Sequence, residues 1–263
     1  MSTFRLQQFS IEQNLSGMKI CSDSLLFGAM IPVIGAQRIL DIGTGTGILA
    51  LMQAQKTASV VSSSSAGITS IELTHAAAVE AQHNFNASPW QEKLSLLEQD
   101  IQSYSKQYVQ PKYDLVICNP PFFDRHTKTQ STQNLRHTAR HTDSLSYLDL
   151  CQSIERLIAN DGNIYLLLPS MALTEFYKIA VRCHLLPISQ INIAESKDHS
   201  AKVCMVHLQG NKKQTLTALD ENMEVKTSTI YKFNSVNQHS AEAKELLAPF
   251  LLRYANKDGY TRD

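Results

Sequence analysis

The chain has 263 residues, 43 % of them hydrophobic, which is enough for one large or two small domains with a proper core. Its formal net charge is zero, so a nucleic-acid partner would have to be met by a local basic patch. Five scattered cysteines without a CxxC pair argue against a zinc site or a disulfide framework. The sequence shows neither a signal peptide nor a membrane span. We therefore expect a cytoplasmic protein.

Strands and helices alternate along most of the chain. A first helix is predicted at 23–31, with Ser22 or Asp23 as its cap. The predicted strands are 38–42, 68–73, 93–100, 114–119 and 163–169, and the predicted helices are 46–56, 74–86, 145–160 (stopped by Asp161-Gly162) and 171–184. Such alternation is typical of an α/β fold, a parallel sheet with helices on both faces.

Three later or irregular segments complete the pattern. The apolar stretches 188–194 and 202–208 are close enough to pair as an antiparallel hairpin. A serine-rich loop at 59–67 is predicted to be a surface insertion without chemistry, and a last helix is predicted at 241–255. The long polar stretch 124–143 is of a length that is usually functional or disordered in a compact domain.

The first predicted strand runs into LDIGTGTGILAL, which places Gly43, Gly45 and Gly47 behind Asp41. A glycine-rich turn between a strand and a helix lets a ligand approach the backbone. Position 48 is Ile, so the dinucleotide fingerprint is not met, and no Gly-Lys-Ser/Thr follows for a P-loop. The pattern D-x-G-x-G-x-G resembles motif I of S-adenosylmethionine-dependent methyltransferases. The carboxylate of Asp41 would suit an ammonium group or a water network of the ligand there. The alternative, which we disfavour, is that the glycines form an ordinary strand-to-helix turn.

Two acids follow the next predicted strands. Glu72 ends the second strand, where doubly wound folds place a ribose-binding acid, and its carboxylate can accept both ribose hydroxyls. Asp100 ends the third and resembles the methyltransferase acid that meets the adenine amine. A solvated strand-end charge is an equal alternative for either acid alone. Their joint placement favours a ligand site, because ligands bind at the carboxyl edge of such sheets.

The fourth predicted strand ends in DLVICNPPFF. Consecutive prolines hold the preceding residues in an extended conformation. The side-chain oxygen of Asn119 and the carbonyl of Pro120 could therefore accept both N–H groups of an exocyclic amine, with Phe122 stacked on its ring. The NPPF sequence resembles motif IV of amino-methyltransferases that act on adenine N6, guanine N2 or glutamine N5; a plain double-proline turn is the alternative.

The resemblance extends over most of the chain. Five segments are similar to the bacterial tRNA1(Val) (adenine-37 N6)-methyltransferase family. They are QFSIEQNLSGMKICSDSLLFGAMIPV, RILDIGTGTGILALMQAQ, IELTHAAAVEAQHNFNASPW, NPPFF and the stretch 139–142. This implies methyl transfer from S-adenosylmethionine, with S-adenosylhomocysteine as product, to adenine N6 beside the anticodon of a valine tRNA. Many members carry Tyr where this chain has Phe122; both rings stack.

The family also implies the fold and part of the donor site. It implies a Rossmann-like class I methyltransferase with a seven-stranded, mostly parallel sheet. We expect a single domain over 1–263: a pre-sheet segment (1–37), the Rossmann-like core (38–210) and a C-terminal extension (211–263). Resemblance places Asn119, Lys19 and Asp23 at the methyl-donor pocket, although the last two could equally cap and solvate the first helix.

An RNA substrate requires basic groups near the site. The loop after Phe122 carries four, namely Arg125, Lys128, Arg136 and Arg140. They could bind phosphates and become ordered on RNA, or form an ordinary solvated loop. The histidines of this loop lack the pairing of a metalloprotease motif, so no metal is expected.

Other activities use the same residues. A protein glutamine-N5 methyltransferase would usually carry a separate N-terminal helical domain, for which the residues before the glycine loop are too few. A ribosomal-RNA guanine-N2 enzyme and a non-catalytic scaffold of this fold are further alternatives, the scaffold disfavoured by the intact glycines, acids and NPPF. Besides tRNA, no obligate protein partner and no membrane is inferred.

Overall fold

The computed structural model describes residues 2–120, 145–211, 225–235 and 238–255. Its strands are β1 (Thr3–Arg5), β2 (Ser10–Glu12), β3 (Arg38–Ile42), β4 (Gly67–Glu72), β5 (Leu94–Glu98), β6 (Tyr113–Cys118), β7 (Ile158–Pro169), β8 (Leu185–Ala194), β9 (Val203–Gly210), β10 (Lys226–Tyr231), β11 (Phe233–Ser235) and β12 (Gln238–His239). Its α-helices are α1 (Ser22–Met30), α2 (Ile48–Ala58), α3 (His75–Asn86), α4 (Ile101–Gln107), α5 (Tyr147–Leu157), α6 (Leu173–Arg182) and α7 (Ala241–Leu247).

The main sheet has the strand order β10-β8-β9-β7-β6-β3-β4-β5. β9 runs antiparallel to both of its neighbours, which confirms the predicted late hairpin, and the other neighbouring pairs are parallel. The predicted α/β class is therefore confirmed. Among the described residues the sheet has eight strands instead of seven, because Lys226–Tyr231 of the C-terminal extension pairs in parallel with β8.

The strand order reverses between β3 and β6. The chain moves outward from β3 through β4 and β5, and then returns to place β6 and β7 on the other side of β3. In open parallel sheets the crevice at such a switch point, outside the carboxyl ends of the strands, is where ligands bind. The glycine loop leaves β3 and Asn119 leaves β6, so both lie at this crevice.

Apolar side chains cover both faces of the sheet. Ile39 belongs to the core under α1, α2 and α7, whereas its neighbour Leu40 belongs to the core under α5 and α6. Both side chains are fully buried. Strands buried on both faces have continuous apolar sequences, which explains why RILDI and DLVIC lack a two-residue alternation.

The predicted helix at 145–160 is too long. α5 ends at Leu157 and β7 begins at Ile158. Beside β6 the pairing shifts from Ile158 directly to Asn163, so the residues between them bulge, and Asp161 there has a left-handed φ of 64°. Asp-Gly marks this bulge and not a helix end, because both residue types tolerate left-handed backbone.

The described part of the C-terminal extension packs on the N-terminal segment. The side-chain amide of Gln7 donates to the carbonyls of Ala248 (2.6 Å) and Leu251 (2.9 Å), and Gln55 of α2 donates to Pro249 (2.9 Å). The serine-rich loop forms one 3-10 turn at Val61–Ser63. Within the described ranges, no helix has the length and apolarity needed to span a bilayer.

Candidate functional site

A cavity of about 390 Å³ lies at the carboxyl ends of β3, β4, β5 and β6. This size is within the range of roughly 300–1,000 Å³ that is usual for small-molecule sites. The lining includes the glycine loop, the residues that follow β4 and β5, the segment before α1, and two single residues, Asn119 and Leu145. The predicted site residues that line it are Lys19, Gly43, Gly45, Glu72, Asp100 and Asn119.

The glycine loop adopts a conformation that other residues would strain. Gly43, Gly45 and Gly47 have φ values of 68°, 57° and 85°. Gly47 is also packed closely, because a Cβ at this position would lie 2.5 Å from a ring carbon of Phe85. Gly47 is not among the residues that line the cavity, so it shapes the loop from behind, whereas Gly43 and Gly45 line the cavity.

Asp41 lies beneath the loop and does not line the cavity. Its side chain is fully buried and accepts a hydrogen bond from the Thr44 hydroxyl at 2.6 Å. Burial raises the pKa of Asp41 to about 7, although hydrogen bonds from Thr44 and the backbone of Ala50 act in the opposite direction. Asp41 therefore supports the loop from below, and the structure does not place it against a ligand as the sequence suggested.

The buried carboxyl group predicts a pH-dependent stability. The native pKa of about 7 exceeds the unfolded value of 3.8, so between these two pH values the unfolded chain releases a proton that the native state retains. The contribution of Asp41 is therefore complete below pH 3.8 and is lost as the pH rises through about 7. Asp41→Asn mimics the protonated group and keeps an acceptor for Thr44. We expect the free energy of unfolding of D41N, relative to the wild type, to rise by on the order of 4 kcal/mol across this range. Urea unfolding at several pH values measures it; a constant difference would contradict the assignment.

Glu72 connects the end of β4 to the glycine loop. It is 8 % exposed and lines the cavity. Its Oε2 accepts from the Gly45 amide at 3.0 Å, and its Oε1 accepts from the Thr74 amide (2.9 Å) and hydroxyl (2.8 Å). A carboxylate offers about four lone-pair sites. Oε2 thus retains one acceptor site for a ligand hydroxyl, whereas the sequence suggested that Glu72 accepts hydrogen bonds from two ribose hydroxyls.

Asp100 is the N-cap of a helix that the sequence analysis did not predict. β5 already ends at Glu98, and Asp100 accepts from the amides of Gln102 (3.2 Å) and Ser103 (3.0 Å) at the start of α4. The Ser103 hydroxyl also donates to Asp100. Asp100 still lines the cavity, and its Oδ1 carries only one of these bonds, so capping leaves an acceptor site open.

Lys19 and Asp23 have different surroundings. Lys19 is exposed and lines the cavity. Asp23 does not line it and pairs with Lys232 at 2.9 Å, while Glu195 approaches the same ammonium group at 2.5 Å. Burial acts to lower the pKa of Lys232, but the hydrogen bonds and charges of Glu195 and Asp23 outweigh it and raise this pKa. Asp23 therefore ties α1 to the residue after β10 and is not placed at the donor cavity.

Asn119 lines the cavity and carries an unpartnered acceptor atom. Its Oδ1 atom is buried and accepts no hydrogen bond from any described residue. Buried polar atoms are nearly always paired, so such an oxygen requires an explanation. Pro120, the next residue, is buried and fixes the chain directly after β6. The remaining predicted residues, Phe122, Arg125, Lys128, Arg136 and Arg140, lie outside the described residues.

Most of one cavity wall was not predicted from the sequence. Besides Lys19, the segment before α1 contributes Ser16, Gly17, Met18, Ile20 and Cys21. Their types carry no chemical signature. The available signal was indirect: α3 has two polar residues, Glu80 and Asn84, one turn apart and both buried. Buried polar side chains need partners, and these contact the N-terminal segment.

Comparisons with known proteins identify the family of this chain. The family model described as "MTS: Methyltransferase small domain" matches residues 15–144. Three relatives are named tRNA1(Val) (adenine(37)-N6)-methyltransferase. The protein of Shewanella baltica (strain OS185) is 39 % identical over 75 % of this chain and 80 % of its own length. The protein of Aliivibrio fischeri (strain MJ11) is 41 % identical over 74 % of this chain and 80 % of its own length. The protein of Shewanella putrefaciens (strain CN-32) is 33 % identical over 95 % of this chain and 99 % of its own length. The chain belongs to this tRNA1(Val) (adenine(37)-N6)-methyltransferase family.

Solved structures support the fold of this methyltransferase family member. One described as a predicted O-methyltransferase from Agrobacterium tumefaciens has a TM-score of 0.55 and 13 % identity, over 85 % of this chain and 94 % of its own. A methyltransferase from Pyrococcus furiosus has a TM-score of 0.52 and 15 % identity, over 77 % and 89 %. At such identities the likeness concerns the fold alone.

The methyl donor of a class I methyltransferase is S-adenosylmethionine, and the cavity fits it. Gly43 and Gly45 leave backbone open at the cavity, and Glu72 and Asp100 each keep an acceptor site for the hydroxyl and amine groups of an adenosine. Asn119 adds the unpartnered oxygen at the end of β6. The described residues therefore provide a suitable donor site.

Proposed function

We propose that the protein transfers a methyl group from S-adenosylmethionine to the exocyclic N6 of an adenine in tRNA, namely adenine 37 of a valine tRNA. The observation that carries the proposal is the buried, unpartnered Oδ1 of Asn119 at the donor cavity. The names of the relatives supply the tRNA and the base.

The reaction requires a reactive amine. The lone pair of an exocyclic amine is delocalised into the base, which makes the nitrogen a poor nucleophile. Hydrogen bonds to the Asn119 Oδ1 and to the Pro120 carbonyl take both N–H groups, favour a pyramidal nitrogen and direct its lone pair. Because both acceptors are fixed before the substrate binds, they need little reorganisation in the transition state.

S-adenosylmethionine, when bound, supplies an already activated methyl group on a sulfonium. The role of the chain is therefore to bind and orient. Glu72 and Asp100 accept hydrogen bonds from the adenosine part, and the backbone at Gly43 and Gly45 lets the ligand approach closely. Lys19 carries the one cationic side chain among the described lining residues, and we assign it to the carboxylate of the donor.

The residues that we assign to RNA binding lie outside the described residues. We propose that Phe122 stacks on the adenine and that Arg125, Lys128, Arg136 and Arg140 bind phosphates. The NPPF sequence by itself also suits guanine N2 or glutamine N5; the names of the relatives favour tRNA adenine. The five cysteines are free thiols, which supports a cytoplasmic location.

Nucleoside mass spectrometry tests the proposal. In a strain that lacks the gene, we expect N6-methyladenosine to disappear from the purified valine tRNA and to return when the wild-type gene, but not an N119A gene, is restored. Purified protein should methylate that transcript in vitro, but not a control transcript with guanine at position 37. An unchanged N6-methyladenosine content in the valine tRNA of the deletion strain would refute the assignment.

A further inference from the structure

The buried acid of α3 holds a piece of chain far away in sequence. Glu80 is 4 % exposed. Its Oε1 accepts from the backbone amides of Asn14 and Leu15, the latter at 2.8 Å. Its Oε2 accepts from the backbone amide of Ser16 at 2.8 Å and from the Ser16 hydroxyl. Four donors from three consecutive residues thus converge on one carboxylate.

Asn84, one turn further along α3, extends this contact to the glycine loop. Its Oδ1 accepts from the Glu12 amide at 2.8 Å, and its Nδ2 donates to the carbonyls of Glu12 (3.0 Å) and Thr46 (2.9 Å). Its side chain is 1 % exposed, and both of its polar atoms are paired. The same face of α3 therefore fixes the N-terminal segment relative to the loop that follows β3.

The segment held by Glu80 continues directly into the cavity wall. Residues 16–21 all line the cavity. Their far end is also anchored, because the Ile20 amide donates to the side chain of Gln13 at 2.9 Å and Cys21 is the N-cap of α1. Gly17, Met18 and Lys19 are exposed between these two anchors. Without the Glu80 contacts this short stretch would lose its anchor on the α3 side.

The charge of Glu80 is suited to this arrangement. Burial acts to raise the pKa of Glu80, but the hydrogen bonds from Ser16, Leu15 and Asn14 outweigh it and lower this pKa. The group is therefore ionised at neutral pH, and an ionised carboxylate accepts stronger hydrogen bonds than a neutral amide oxygen.

We infer that Glu80 is a positioning residue for the methyl donor: with Asn84, it fixes residues 14–16 so that residues 16–21 form one wall of the donor cavity. The inference rests on the proposed function, because it assumes that S-adenosylmethionine occupies this cavity. Glu80 does not line the cavity itself and acts through the backbone that it holds.

The test is Glu80→Gln. The substitution keeps the shape of the side chain, but it removes the charge and points an NH2 group at backbone donors. We expect calorimetry to show about tenfold weaker binding of S-adenosylmethionine and S-adenosylhomocysteine, since bonds to a charged group are lost. KM for the donor should rise by the same factor while kcat changes by less than about twofold, because the wall contributes equally to ground and transition states. Without ligand, the amides of residues 14–16 should exchange hydrogen faster.

Glu98→Gln is the matched control. Glu98 lies at the same sheet edge and pairs with His75 at 2.8 Å, but it does not line the cavity. This variant should bind the donor like the wild type. Ser16→Ala, which removes one hydroxyl donor to Glu80 from a residue that itself lines the cavity, is a milder second variant with an expected two- to threefold loss of affinity. If Glu80→Gln does not fold, faster hydrogen exchange of the amides of residues 14–16 in Ser16→Ala together with this loss supports the role, and wild-type affinity refutes it.

The outcomes separate the inference from the proposed function. If Glu80→Gln, or Ser16→Ala in its place, binds the donor with wild-type affinity while the wild type methylates tRNA, the positioning role is refuted and the function stands. If the wild type binds no S-adenosylmethionine, the proposed function fails. A parallel loss in Glu80→Gln and Glu98→Gln would also refute the positioning role, because it would reflect a general charge effect.

Discussion

Asn119→Ala is expected to lower kcat for tRNA methylation by about 10²–10³-fold, the usual cost of removing one preplaced transition-state contact. The variant loses the buried Oδ1, which accepts no hydrogen bond from any described residue. Donor affinity should change little, because the adenosine contacts assigned to Glu72 and Asp100 remain. Single-turnover kinetics with saturating donor measure the chemical step, and calorimetry measures donor binding.

A matched control for this prediction is Asn86→Ala. Asn86 is an exposed residue at the end of α3 that accepts a hydrogen bond from Gln82, so both its rate and its affinity should remain at wild-type values. If Asn119→Ala instead abolishes donor binding, Asn119 supports the cavity and the amine-binding role is wrong. A wild-type kcat would have the same consequence for the proposed mechanism.

Gly47→Ala is expected to have the second large effect, on both the fold and the donor site. Left-handed backbone costs a non-glycine residue about 1–2 kcal/mol, and overpacking a core typically costs a further 1–3 kcal/mol. Both apply here, because φ is 85° and the added Cβ would lie 2.5 Å from the Phe85 ring. The loop must shift, so we expect a loss of stability of about 2–5 kcal/mol and more than tenfold weaker donor binding. Urea unfolding and calorimetry measure the two effects.

Gly67→Ala separates this effect from a general cost of replacing glycine. Gly67 begins β4, has no left-handed φ, and has no heavy atom within 4 Å of a built Cβ. Such a change is neutral or stabilises by about 0.4–1 kcal/mol. Equal destabilisation in both variants would show that the left-handed turn and the Phe85 contact are not the cause.

Local patterns predicted much of this molecule. Apolar runs such as RILDI and DLVIC predicted buried parallel strands, and the glycines, Glu72 and Asn119 were correctly expected at one edge of the sheet. The apolar runs and the strand-end residues are patterns of residues that are close together in the sequence. Strand β10 was missed because its sequence, KTSTIY, is mostly exposed and polar and is defined by its pairing with β8.

The errors at the site have a related cause. Asp23 and Asp41 are acids in suitable sequence positions, but their surroundings decide their roles. Asp23 pairs with Lys232, which is distant in sequence, and Asp41 is buried beneath the glycine loop. Likewise, the contacts of Glu80 span 64–66 residues. Sequence spacing alone cannot specify a pairing over such separations, and only the folded chain brings the groups together.

The contact of Gln7 with the end of the chain has a consequence for biosynthesis. Its partners Ala248 and Leu251 lie 241 and 244 residues later. At about 5–20 residues per second, a ribosome reaches Ala248 on the order of 10–50 s after Gln7 has been made. During that interval the apolar side chains of Phe9 and Ile11 lack Phe250, with which they share a core. We therefore expect the nascent chain to complete this core, and to acquire full affinity for S-adenosylmethionine, only after residues 248–251 have been synthesised.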